Sequence, residues 1–76
     1  MRQPDRKAYH VVFGRGEWKV SAEDVSREPT RHATKEDAVA EATQLARAAD
    51  VGQVIVHAVD GTVETEYTFG DDAPRG

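Results

Sequence analysis

Residues 53–69 read QVIVHAVDGTVETEYTF, and their reading decides the fold. Two runs rich in β-branched and aromatic residues flank Asp60-Gly61, the strongest short hairpin signal a sequence carries. A two-residue type I′ turn there fixes a register. It sets Val59 opposite Thr62, His57 opposite Glu64, Val56 opposite Thr65 and Val54 opposite Tyr67. One face of the hairpin then holds Val54, Val56, Ala58, Val63, Thr65 and Tyr67 and is assigned to the interior. The other holds Ile55, His57, Val59, Thr62, Glu64, Glu66 and Thr68.

Working upstream, Thr34 opens a helix. Its hydroxyl is placed to cap, Asp37 follows three residues later in a shortened capping box, and Glu36 and Asp37 suit the positive end of the helix dipole. Ala38, Val39, Ala42, Leu45, Ala46 and Ala49 recur at helical spacing and form one apolar stripe. The stripe is mostly alanine, which predicts close approach to a sheet, and Gly52 is expected to terminate the helix. Further upstream, Tyr9, Val11 and Phe13 alternate with His10 and Val12, and Trp18, Val20 and Ala22 alternate with Lys19 and Ser21. Gly14-Arg15-Gly16-Glu17 between them predicts a hairpin loop of about four residues. Residues 23–33 contain Pro29, which forbids a central strand, so a short irregular edge segment and a plain loop both remain open.

The predicted order is β-β-α-β-β. It describes an α+β domain in which two β-hairpins form a small, mainly antiparallel sheet of four strands, with one helix packed on one face. Residues 1–8 are expected to be a flexible lead-in, 9–70 the domain and 71–76 a flexible tail.

Composition narrows the function. Of 76 residues, 29 are apolar and 11 of those are alanine, so 18 larger apolar side chains must build the core of a single domain. The chain has no cysteine, which excludes disulfides, thiolate metal sites and a cysteine nucleophile. No apolar run nears the roughly 20 residues of a membrane span, and MRQPDRKAYH has no secretory apolar stretch, so a cytoplasmic protein is expected. The formal charge of −4 argues against a general nucleic-acid coat. Charge is uneven, however: residues 1–34 carry +2 and residues 35–76 carry −6.

The ordered set His10-Val11-Val12, Trp18-x-Val20, Thr34-Lys35-Glu36-Asp37-Ala38, Val56-His57, Asp60-Gly61 and Thr68-Phe69-Gly70-Asp71, with Pro74 and Gly76, resembles a small prokaryotic family, domain of unknown function 2188. The resemblance runs over about residues 9–76. It departs at Phe13, where the family tends to proline, at Thr68-Phe69, where it tends to Ser-Tyr, and through residues 23–33. It implies an architecture and carries no activity with it.

A single helix covers one face of such a sheet and leaves Val12, Ile55, His57 and Val59 on the other. Apolar groups on an otherwise wet face point to a partner, and in so small a domain a second copy is the simplest one. These four residues are the expected interface of a homodimer, with His57 hydrogen-bonded to Glu64 and an unknown protein partner as the alternative. His10 and His57 also suggest acid–base or metal chemistry, but no third ligand has the required spacing; His32 lies in the unread segment, and Asp60 and Asp71-Asp72 suit a turn and a tail. No metal or other cofactor is expected. Ser21 and Ser26 lack a nucleophile elbow, and Gly14-Arg15-Gly16 lacks the Lys-Ser/Thr pair of a phosphate loop, so no enzyme is expected. The competing reading is a nucleic-acid-binding module in which Arg15, Lys19, Arg27 and Arg31, supported by Arg2, Arg6 and Lys7, contact phosphate. Tyr9 and Trp18 are assigned to the core rather than to base stacking.

Overall fold

The computed structural model describes residues 6–24 and 28–70. In chain order the elements are β1 (Arg6–Gly14), β2 (Glu17–Ala22), β3 (Thr30–His32), α1 (Lys35–Ala48), β4 (Val51–His57) and β5 (Val63–Gly70). They build one five-stranded sheet in the order β3-β2-β1-β4-β5. The helix lies on one face. The expected β-β-α-β-β order holds, with one addition: residues 30–32, just past Pro29, form a short edge strand, the first of the two options left open for that segment.

The two hairpins join along β1 and β4, which run parallel with Arg6 beside Val51, Tyr9 beside Val54, His10 beside Ile55 and Val11 beside Val56. Every other pairing is antiparallel. Residues 6–8 lie within β1, while the expected tail at 71–76 lies outside the described residues.

Both turns differ from expectation, and they differ in complementary ways. In the first, Gly14 pairs with Glu17, so the loop is two residues long rather than four. Arg15 (φ 53°) and Gly16 (φ 80°) are both left-handed, which is the type I′ signature. In the second, Gly61 alone is left-handed (φ 92°), and its N–H donates to the Ala58 carbonyl at 2.9 Å while the Ala58 N–H donates to the Thr62 carbonyl at 2.7 Å. That is a three-residue loop, a type I turn closed by a left-handed glycine, and not the type I′ turn the sequence predicts. The Asp60 carboxylate accepts from the Thr62 N–H at 3.0 Å and from its hydroxyl at 2.7 Å, which holds Asp60 in the turn. The extra residue is absorbed by a bulge: pairing follows the predicted register up to Val56 and Thr65, then places His57 opposite Val63 rather than Glu64.

Thr34 caps α1 as predicted, its Oγ1 accepting the Asp37 N–H at 3.2 Å. Gly52 is not the terminator. The helix ends at Ala48, with Ala49 extended, and Gly52 lies within β4 beneath the last helical turn. A Cβ at Gly52 would sit 2.0 Å from the Ala46 carbonyl oxygen. The glycine therefore serves close approach, as the alanine stripe does: Ala38, Ala42 and Ala46 are all fully buried. They pack on Tyr9, Val11, Val20, Ala22, Val54 and Val56, with Trp18, Val39, Leu45 and Phe69 at the margin. The largest fully buried side chains are three valines (Val11, Val54 and Val56). The core is thin.

Candidate functional site

Alternation along each strand sorts side chains between the two faces. With Tyr9, Val11, Val20, Val54 and Val56 under the helix, the opposite face receives Arg6, Ala8, His10 and Val12 from β1, Glu17, Lys19, Ser21 and Glu23 from the β2 side, Arg31 from β3, Val51, Gln53, Ile55 and His57 from β4, and Val63, Glu66 and Thr68 from β5. Three of the four expected interface residues, Val12, Ile55 and His57, thus share this helix-free face. Val59 does not. It stands 66% exposed in the β4–β5 turn. Val63, predicted for the interior, is turned outward by the bulge and is 55% exposed. Ile55 contributes little surface, being 8% exposed between its ladder neighbours His10 and Glu66.

At the centre of the face the parallel ladder brings His10 and His57 together. His10 Nδ1 is 2.9 Å from His57 Nε2, and the rings stack with centroids 5.2 Å apart. His57 Nδ1 is 3.2 Å from the Gly61 carbonyl oxygen, and His10 Nε2 is 3.7 Å from the Glu23 carboxylate. The expected bond from His57 to Glu64 is absent: Glu64, the residue displaced by the bulge, pairs with Lys35 of the helix. Lys35 in turn lies 5.9 Å above the Trp18 ring, and Trp18 packs against the core margin and Phe13. Tyr9 is buried, as expected of a core aromatic.

The basic residues of the competing reading separate. Lys19 and Arg31 are ladder neighbours on the helix-free face, and Arg31 Nε lies 3.6 Å from Glu17. Arg15 stands exposed at the β1–β2 turn, and Arg27 lies outside the described residues. His32 is held elsewhere. Its Nε2 and the Thr30 hydroxyl both bond the Glu41 carboxylate, which clips the edge strand to the helix. Among the described residues no group of three or more His, Asp or Glu side chains is gathered to hold a metal ion. None of the described helices is long and apolar enough to cross a membrane.

The sequence missed the Glu23 and Val63 contributions to this face. The signal for Glu23 was present in its even spacing from Lys19 and Ser21, whereas Val63 follows from the bulge, which has no local signature. No curated protein and no solved structure matches the chain. A family model described as "uncharacterized protein conserved in bacteria (DUF2188)" does match, over residues 9–69. That span takes in both hairpins, the helix and the paired histidines. The chain belongs to this bacterial family.

Proposed function

We propose that this protein is a small, non-enzymatic, cytoplasmic interaction module that pairs with a second copy of itself through the helix-free face of its sheet. One observation carries the reading. The middle of that face is apolar and imidazole (Ala8, His10, Val12 and His57), Val63 adds an apolar group beside His57 on the edge strand, and the rim mixes the cations Arg6, Lys19 and Arg31 with the anions Glu17, Glu23 and Glu66. An apolar centre inside a polar rim is how protein interfaces are built, and a rim of both signs can satisfy itself across a two-fold axis. The thin core adds a motive, since domains of this size commonly gain stability from oligomerisation.

Light scattering tests the proposal. The expected mass is about 17 kDa, twice the 8.4 kDa chain. Val12→Lys and Val63→Lys each place a charge on the face without opening the core, and both are expected to give folded monomers by circular dichroism. A monomeric parent, or a dimer untouched by both changes, overturns the reading.

A second reading rests on Arg15. An exposed β-turn arginine held at φ 53° is a local rule broken, and such breaches gather at functional positions. It favours a phosphate-binding role. The same measurement repeated with a mixed DNA and RNA pool at about 50 mM salt separates the two. A monomer that shifts with nucleic acid and releases it as salt rises favours the second reading.

A further inference from the structure

We infer that the His10–His57 pair is a proton-sensitive gate on the self-association face, resting on the self-association proposed above. The hydrogen-bond geometry leaves each ring one arrangement when neutral. A carbonyl oxygen accepts but never donates, so the contact of His57 Nδ1 with the Gly61 carbonyl requires the proton on His57 Nδ1. His57 Nε2 is then the lone pair, and His10 Nδ1–H donates to it across 2.9 Å. His10 Nε2 is left without a proton, 3.7 Å from the Glu23 carboxylate. Both neutral rings are Nδ1–H tautomers, the minor form of a free histidine in water.

Protons therefore have unequal seats. A first proton can sit on His10 Nε2, facing Glu23. A second, on His57 Nε2, sets two N–H groups against each other and breaks the bond between the rings. The charged groups around the pair give limited compensation. From the β2 side come Glu23, with its side chain 65% exposed, and Lys19, which is cationic. β5 contributes Glu66, across the ladder from Ile55, and β3 contributes Arg31 beside Lys19. The helix lies on the opposite face. When two copies meet face to face, each brings its pair into a drier setting, where a charged imidazole is disfavoured. Association then selects the neutral pair and releases about one proton per chain.

The sign follows from that selection. The paired state holds fewer protons than the separate chains, so association weakens as pH falls. With about one proton released per chain and so two per dimer, the dimer dissociation constant is expected to rise by up to about 100-fold for each pH unit lost where the free chains take up those protons. Sedimentation equilibrium across that range gives the dissociation constant, and nitrogen NMR of the two rings at pH 8 gives the tautomers. The expected result is a dimer at pH 8 with both rings Nδ1–H and a steep loss of affinity below pH 7. In His10→Asn/His57→Gln, which lacks both titrating rings, the slope of affinity against pH is expected to flatten whatever the affinity at pH 8. A dimer at pH 8 whose affinity does not change down to pH 5.5, or a parental slope retained in the double variant, overturns the gate and leaves self-association standing. A chain that is monomeric at every pH overturns self-association and the gate together. Finding His57 as the Nε2–H tautomer overturns the hydrogen-bond argument directly.

Discussion

Adding one methyl group at Gly52 is expected to lift the helix from the sheet. The Cβ of Gly52→Ala would stand 2.0 Å from the Ala46 carbonyl oxygen, 2.5 Å from its carbon and 2.6 Å from its Cα, where ordinary contact begins at 3.4 Å. Restoring contact needs a separation of about 1.4 Å between the last turn of α1 and β4, since all three obstructing atoms are backbone and no rotamer relieves them. A gap near 1 Å already forfeits a quarter to a half of each van der Waals well it opens. The contacts at risk are those of Ala42 and Ala46 with the sheet, the middle of the core. Overpacking typically costs about 1–3 kcal/mol where side chains can yield, so a backbone obstruction belongs at or above the upper end, about 3 kcal/mol. A domain of 76 residues has roughly 4–11 kcal/mol in total. The expected fall in Tm is therefore about 12–24 °C, with partial unfolding at 37 °C. Thermal melts by circular dichroism, checked by urea titration, measure it. Ala46→Gly in the same chain is expected to give no rescue, because the obstruction is not the Ala46 side chain. A Gly52→Ala protein melting within about 4 °C of the parent would refute the close-approach argument.

Two further perturbations probe the turns. Arg15→Asn supplies a residue that tolerates the left-handed region at a type I′ position, so it is expected to stabilise by about 0.5–1 kcal/mol in urea titration; a loss of stability would mean that the arginine side chain supports the turn. The Asp60 carboxyl is held below its usual value by hydrogen bonds from the Thr62 N–H and hydroxyl. A carboxyl lowered on folding stabilises above its unfolded value near 3.9 and loses that contribution as pH falls through the folded value. Asp60→Ala is therefore expected to flatten the dependence of Tm on pH below about 4, and an unchanged profile would show that the turn gains nothing from the ionised carboxyl.

What could be read in the sequence was what is local. Thr34, Asp37 and the alanine stripe define α1 within one stretch of chain, and the structure reproduces both cap and buried face. The strands of both hairpins show as alternation. Their junction does not, because β1 beside β4 and β1 at an edge leave the same period-two pattern. The turns misled for a physical reason. Asp-Gly serves both a type I′ turn and a type I turn closed by glycine, and here the bonds from Asp60 to Thr62 accompany the second. The shift of one residue that follows parts His57 from Glu64 and turns Val63 outward. The common face of His10 and His57 was legible from alternation, but their contact depends on the parallel register, which joins residues far apart in the chain.

The parallel pairing of β1 with β4 also governs the order in which the molecule can be made. Arg6 meets Val51 and Val11 meets Val56, so each contact closes a loop of about 45 residues that contains β2, β3 and the whole helix. The first hairpin can zip locally, and the helix can form early, but neither has a finished surface to rest on. Tyr9 and Val11 gain their cover when Val54 and Val56 arrive. A nascent chain that stops short of residue 51 carries β1 with one edge open and a helix with half a floor. The fold is completed when β4 docks beside the central strand β1, and β4 is synthesised after β1, β2, β3 and the whole helix.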